Sequence, residues 1–155
     1  SVNDHKPVLI KPEDVISKEL GKPGWQRHAM FVLDERVEAD QIYIGECWID
    51  GGQWSSYPPH KHDDMNMPKE AATEEIYYYE FDKPQGFGAC FIGDDVFKST
   101  NGSVACITDG NDHQQVVAPG YEMCYVWMIR HLENDPWYKT TRFYAPEHEW
   151  LTREN

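Results

Sequence analysis

The sequence contains few cysteines, few basic residues and no long apolar run, and each shortage excludes a class of protein. Its 155 residues include four cysteines, which are far apart and form no Cys-x-x-Cys pair. This number is too small for a disulfide-framed domain, so we interpret the cysteines as reduced and mostly buried small apolar side chains. No apolar run approaches about 18 residues, and a membrane-spanning helix is therefore not expected.

The charge of the chain is strongly one-sided. There are 14 Lys and Arg against 27 Asp and Glu, which gives a formal net charge of −13. Such a chain has no basic surface for a phosphate backbone, so we expect no nucleic acid and no membrane surface among its partners. Residues 1–11 lack the basic-then-apolar order of a secretory signal, and we therefore expect a cytoplasmic location.

Short segments rich in aromatic and β-branched residues recur along the chain, with Gly, Asn and Asp turns between most of them. About eight short strands at this spacing predict an all-β sandwich or barrel. We expect one domain over residues 1–155, with the barrel core at about 25–145. The strands are predicted at 25–33, 41–49, 54–62, 75–81, 87–92, 103–108, 113–117 and 123–129.

Two segments lie outside this series of strands. Residues 12–20 begin with a proline and are followed by Gly21, which predicts a short helix that serves as a lid or an oligomer contact. Residues 131–155 are irregular, and their aromatic side chains suggest that this tail wraps back over the barrel. These aromatic residues are Trp137, Tyr138, Phe143, Tyr144 and Trp150.

A candidate metal site begins with two histidines in an extended segment. His60 and His62 are two residues apart, so in a strand they project from the same face, about 6.5 Å apart. Alone, such a pair is more typical of the surface of an edge strand. Glu75 in the next aromatic strand can add a carboxylate, with Glu74 as its rival, and His113 is the best available fourth ligand.

Three segments carry a resemblance to a known family. They are Trp54-Ser-Ser-Tyr-Pro-Pro-His-Lys-His-Asp63, Glu74-Glu-Ile-Tyr-Tyr78 and Val117-Ala-Pro-Gly-Tyr121. The order of two His and one Glu, then one His, resembles the cupin superfamily. Glu75 follows His62 by 13 positions, which is longer than the general cupin spacing. The longer spacing and the three segments together resemble the 5-deoxy-glucuronate isomerases of inositol catabolism, which are related to the 5-keto-4-deoxyuronate isomerases of pectin breakdown.

The resemblance implies a fold, a cofactor and a reaction. It implies a small jelly-roll β-barrel that holds one divalent metal ion, Zn, Mn, Fe, Co or Ni, on His60, His62, Glu75 and His113. The implied reaction is the aldose–ketose isomerisation of a sugar acid such as 5-deoxy-glucuronate. The likeness covers about residues 21–150 and corresponds to the metal-bearing C-terminal half of the family's two-barrel subunit. We therefore expect a homodimer that pairs two single barrels.

Isomerisation requires a base near the reacting carbon and a group that holds the substrate carboxylate. Tyr77 and Tyr79 share the strand face of Glu75, with plain barrel packing as the alternative. Arg27 resembles a family position and is a candidate for binding the carboxylate, with a structural salt bridge as the alternative. Gln115 shares a face with His113, and Lys61 flanks the His pair but should point away from it. The other histidines are interpreted as surface or packing residues: His5, His28, His131 and His148.

Two other functions fit the same ligands. A cupin dioxygenase would use Fe(II) on this set to activate oxygen, and metal identity and oxygen consumption distinguish it from an isomerase. A sugar-binding cupin without catalytic activity would bind a ligand and show no turnover.

Overall fold

The computed structural model describes residues 4–62, 72–108, 110–132 and 143–153. Within them the chain forms two short 3-10 turns, at Pro12–Asp14 and Glu149–Thr152. The other elements are strands: β1 (Ile16–Leu20), β2 (Arg27–Leu33), β3 (Ile42–Ile49), β4 (Trp54–Lys61), β5 (Thr73–Phe81), β6 (Phe87–Ile92), β7 (Asp95–Thr100), β8 (Val104–Ile107), β9 (His113–Val117), β10 (Met123–His131) and β11 (Phe143–Tyr144).

The strands form two antiparallel sheets that face each other. The six-stranded sheet has the order β1-β2-β3-β10-β5-β8, and the five-stranded sheet has the order β11-β4-β9-β6-β7. This arrangement confirms the expected all-β, jelly-roll-like architecture. Among the described residues no helix is long and apolar enough to cross a membrane.

Strict alternation of side chains produces the barrel interior. Along β10, every second residue from Met123 to His131 is buried, and along β5 the buried residues begin at Thr73 and include Glu75. The pairing of these two strands sets Glu75 opposite Ile129 and Thr73 opposite His131. Each inward step along one strand therefore has a partner at the same depth on its neighbour.

The prediction of a helix over residues 12–20 is wrong. Only Pro12–Asp14 forms a 3-10 turn, and Ile16–Leu20 is a strand that pairs with β2. Four of its five side chains are exposed, so a helix here would bury no apolar stripe, whereas the strand satisfies the backbone groups at the edge of β2.

Besides β1 and the two-residue β11, strand β7 was not predicted from the sequence. Asp95–Thr100 pairs with β6 in a tight hairpin that sets Ile92 opposite Asp95. The turn uses Gly93, whose φ of +56° is open to glycine at little cost. The first four residues of β7 are exposed, so this edge strand has little of the inward apolar pattern on which strand prediction depends.

Strand β4, which carries His60 and leads into His62, contains a large irregularity. Ser55 pairs with Gln115 and His60 with His113, so five steps along β4 match only two along β9. Ser56, in this irregular part, has a φ of +51°, the left-handed region that residues other than glycine rarely adopt. As a result the neighbouring Ser55 and Ser56 both face the interior, and His60 lies directly beside His113.

The described part of the C-terminal tail packs against this strand. Tyr144 pairs with His60, and Phe143 pairs with Lys61. Ala145 is buried, whereas Trp150 is exposed. The expected wrapping is therefore seen for residues 143–145, while Trp137 and Tyr138 lie outside the described residues.

Candidate metal centre

Three imidazoles converge inside the barrel. His60 comes from β4, His62 from the residue just after it, and His113 from β9. One ring nitrogen of each lies within 4.8 Å of the corresponding nitrogens of the other two, and all three residues are buried. Strand pairing brings His60 and His113 together, and the two-residue step turns His62 to the same side.

A carboxylate from the opposite sheet completes the group. Oε2 of Glu75 lies 2.9 Å from Nε2 of His62 and 3.3 Å from Nε2 of His113. Glu74 points to the outer face, where its Oε2 lies 3.6 Å from Nη1 of Arg130. Of the two candidates that the sequence left open, Glu75 is therefore the one placed with the histidines.

The Nδ1 atom of each imidazole faces a protein acceptor. Nδ1 of His60 lies 2.9 Å from the carbonyl oxygen of Pro58, and Nδ1 of His113 lies 3.4 Å from that of Asn111. Nδ1 of His62 lies 2.8 Å from the hydroxyl of Thr73. Such outer contacts fix the ring orientation and the tautomer, and they leave the Nε2 atoms for a metal ion.

The hydroxyl of Thr73 fixes the tautomer of His62. It donates its proton to the carbonyl oxygen of His62, at 2.5 Å, so its oxygen accepts the proton of Nδ1. Nε2 of the neutral ring then presents a lone pair to the carboxylate of Glu75, 2.9 Å away. Two acceptors at this distance repel each other, and a proton or a metal cation between them removes the repulsion.

The charge of Glu75 depends on its neighbours. Burial alone would raise the pKa of this carboxyl, but protons on the ring nitrogens of His113 and His62 that face it outweigh burial and hold the pKa well below its usual value. Glu75 is therefore an anion at neutral pH, which is the form that binds a metal ion.

The residues present fit a divalent metal ion. Two ligands that bind one ion at about 2.1 Å with a right angle between them lie about 3.0 Å apart, close to the two distances from Glu75 to the imidazoles. Nε2 of His113 is also buried without a hydrogen bond of ordinary geometry. Imidazole and carboxylate ligands suit Zn, Mn, Fe, Co or Ni, and the set contains no thiolate that would favour one of them.

Three of these ligands, His60, His62 and Glu75, line a cavity of about 510 Å³, large enough for a small sugar. Arg27 lines the same cavity, is buried, and has an Nη1 atom without a hydrogen-bond partner among the described residues. Tyr77 also lines it, and its hydroxyl lies 3.2 Å from that of Ser56. Burial, and then the charge of Glu75, raise the pKa of Tyr77, so it stays a neutral hydroxyl that can donate a hydrogen bond.

The other three predicted catalytic residues do not line the cavity. Gln115 is fully buried behind Ser56, to which its amide donates a hydrogen bond of 3.4 Å. Tyr79 lies one inward step deeper than Tyr77, beside Tyr125. Lys61 is turned away from the ligands and interacts with Asp112. Burial raises the pKa of the Asp112 carboxyl, and the positive charge of Lys61 partly offsets that rise. Their catalytic roles stay predictions.

Sequence reasoning missed three residues of the site, two of which, His131 and Ser56, line the cavity. His131 lines the cavity, Ser56 orients Tyr77, and Thr73 orients His62. A signal existed for His131, because the alternation of Tyr125, Trp127 and Ile129 extends to it by one more inward step. The irregular register of β4 left no comparable signal for Ser56.

Comparison with known proteins identifies relatives of this chain. The 5-deoxy-glucuronate isomerase of Bacillus subtilis strain 168 is 33% identical over 149 residues, which cover 92% of this chain and 54% of the relative. The enzyme of the same name from Bacillus licheniformis is 34% identical over 158 residues, covering 97% and 56%. The chain thus spans about half the length of the curated relatives it matches.

Solved structures give the same picture. An IolB-like protein of Salmonella typhimurium LT2 superposes with a TM-score of 0.83 at 27% identity, over 93% of this chain and 55% of that chain. A cupin-2 domain of Rhodospirillum rubrum, with a TM-score of 0.62 and 13% identity over 94% of this chain and 84% of that one, shows the fold alone. The model of the KduI/IolB family matches residues 1–151. The chain therefore has the cupin fold and belongs to the KduI/IolB family.

Proposed function

We propose that this chain is a metal-dependent isomerase that interconverts the aldose and ketose forms of a sugar acid similar to 5-deoxy-glucuronate. The names of its relatives support the reaction class. The observation that carries the proposal is one cavity that contains both a set of metal ligands and a buried arginine.

The two groups suit the two ends of a sugar acid. His60, His62, His113 and Glu75 would hold the ion, which when bound polarises a carbonyl and stabilises the negative charge of an enediolate. Arg27 would bind the substrate carboxylate, because its buried guanidinium still has a nitrogen free to donate. A chain with a net charge of −13 does not attract an anion from a distance, so this local positive charge matters.

The remaining polar groups of the cavity orient the substrate. Ser56 accepts a hydrogen bond from Gln115, so its own proton is available to the hydroxyl of Tyr77. Tyr77 is then free to donate its proton to a substrate oxygen. The aromatic walls at Phe31 and Trp127 reduce the access of water to the enediolate.

The proposal is tested by metal analysis and an activity assay on the same sample. The protein is purified without added metal, its bound metal is measured, and ketose formation is followed with 5-deoxy-glucuronate and related uronates. A divalent metal near one per chain, together with turnover, supports the isomerase. Metal without turnover on any uronate contradicts it, and oxygen consumption in the same sample would then indicate a dioxygenase. A protein that cannot be loaded with metal contradicts the ligand assignment.

A further inference from the structure

His131 lies on the wall of the metal cavity although it is not one of the converging imidazoles. It ends β10, is 2% exposed and lines the same cavity as His60, His62 and Glu75. Its partner on β5 is Thr73, and Glu75 lies two residues further along that strand on the same inward face. Diagonal neighbours of this kind have Cβ atoms about 7–8 Å apart or somewhat less, so the side chains of His131 and Glu75 can reach the same substrate.

An isomerase needs a base in this cavity, and most of its titratable side chains are unsuitable. The metal ligands would use their lone pairs on the ion, and an arginine such as Arg27 does not give up its proton. The cavity tyrosines are phenols, which keep their protons at neutral pH, and burial raises the pKa of Tyr77 and Tyr125 further.

The remaining candidates are also poorly placed. Asp34 is held by Arg36, whose guanidinium outweighs burial and lowers the pKa of that carboxyl. Lys18 and Glu35 are exposed at the rim. Cys47 pairs with Tyr125 on β10, whereas Glu75 pairs with Ile129 on the same strand. Because Tyr125 and Ile129 are four residues apart, Cys47 lies about 13 Å deeper in the barrel than Glu75.

We infer that His131 is the catalytic residue that carries the proton between the two substrate carbons, an inference that rests on the proposed function. Imidazole both accepts and returns a proton near neutral pH. Among the described residues that line the cavity, His131 is the histidine outside the ligand set.

The step balances without an oxidant or a reductant. In the aldose-to-ketose direction, His131 takes the proton from the carbon next to the aldehyde, and the C–H electron pair becomes the carbon–carbon double bond of the enediol. The π-electron pair of the aldehyde carbonyl moves onto the carbonyl oxygen. His131 then returns the proton to the former aldehyde carbon, while the proton of the neighbouring hydroxyl passes to the former carbonyl oxygen and a new carbonyl forms.

The first test replaces His131 with glutamine in the metal-loaded protein. For His131→Gln we expect kcat to fall about 10²- to 10⁴-fold, with KM and bound metal changed less than about threefold. In D2O, exchange of the substrate C–H should fall by the same factor as turnover. His28→Gln, on the outer face of β2, is the control and should leave both rates unchanged.

A second variant guards against a purely structural effect. His131→Ala should regain at least tenfold in turnover when free imidazole is added, because the cavity then admits the missing base. Loss of metal from His131→Gln, C–H exchange that persists without turnover, or an unchanged kcat would each overturn the role of His131. Absence of turnover in the unaltered, metal-loaded protein would instead overturn the proposed function itself.

Discussion

Two imidazole–carboxylate clusters among the described residues have similar distances and different surroundings. Inside the barrel, Nε2 of His62 lies 2.9 Å from Glu75, and both side chains are almost fully buried. On the outer face, Nδ1 of His28 lies 2.5 Å from Oε1 of Glu19, and its Nε2 lies 2.7 Å from the hydroxyl of Ser17. There the side chains are 42% and 78% exposed.

The outer cluster has the nitrogen order of a Ser-His-acid triad, yet it lacks what makes such a triad catalytic. Ser17, Glu19 and His28 are not part of the wall of the metal cavity, and water screens their charges. In the interior, low dielectric strengthens each interaction, and four side chains from two sheets point at one place. Convergence and burial, rather than pairwise distance, distinguish the candidate metal site from the surface pair.

The largest effect is expected when the inner cluster is broken. Glu75→Gln and His60→Ala should reduce bound metal from about one per chain to near zero, because each removes a ligand. Turnover should fall at least about 10³-fold. Elemental analysis and the uronate assay measure both quantities. Glu74→Gln and His28→Ala are the matched controls, and metal loss in either of them would refute the distinction between the two clusters.

Metal binding should also stabilise the fold through the inner cluster alone. At a metal concentration about 100 times the dissociation constant, the free energy of unfolding should rise by about 2.7 kcal/mol. Chelator should reverse this rise, and thermal unfolding with and without metal measures it. A similar rise in the Glu75→Gln variant would mean that the ion binds elsewhere.

Arg27 tests the anionic end of the cavity. Arg27→Met removes a charge-assisted contact and should lower kcat/KM for a uronate about 10- to 100-fold. The effect should be small for an analogue in which the carboxylate is replaced by an alcohol. Arg130→Met, on the outer face, is the control. Equal losses for both analogues would argue that Arg27 is structural.

The support of His62 gives a smaller, separable effect. Thr73→Val removes the hydroxyl that fixes the tautomer of His62 and should weaken metal binding about 10- to 100-fold. Thr73→Ser keeps the hydroxyl and should bind metal nearly as well as the unaltered chain. Competition with a chromogenic chelator measures the affinities, and two equally weakened variants would contradict the role of the hydroxyl.

The smallest effect is expected at the outer cluster. Ser17→Ala and Glu19→Gln should each change the free energy of unfolding by less than about 1 kcal/mol. A fluorophosphonate probe, which labels activated serines, should not react with Ser17. Labelling that depends on His28 would show that surface exposure does not prevent triad chemistry here.

The sequence predicted which face a residue occupies better than how deep it lies. Alternation placed Glu75, Tyr77 and Tyr79 on one inward face, and the structure agrees. Alternation does not indicate how deep in the barrel a residue lies, so it groups Tyr79 and Gln115 with Tyr77 although they lie behind the cavity. The strand predicted at 123–129 also ends one inward step short of His131.

The wrong prediction for residues 12–20 and the choice between Glu74 and Glu75 both depend on long-range pairing. The strand at Ile16–Leu20 exists because β2 offers a free edge, and nothing within residues 12–20 reveals that edge. The choice between Glu74 and Glu75 likewise depends on which face of β5 meets the other sheet. Both are properties of partners that are distant in sequence.

The backbone of Ser56 sets folding against function. A residue other than glycine at a φ of +51° carries strain of about 1–2 kcal/mol, which glycine would relieve. Glycine, however, removes the hydroxyl that links Gln115 to Tyr77. A Ser56→Gly chain should therefore withstand heat as well as the unaltered chain or better, while it isomerises its substrate more slowly. Selection of variants for thermal stability alone would therefore favour a change that lowers the proposed isomerase activity.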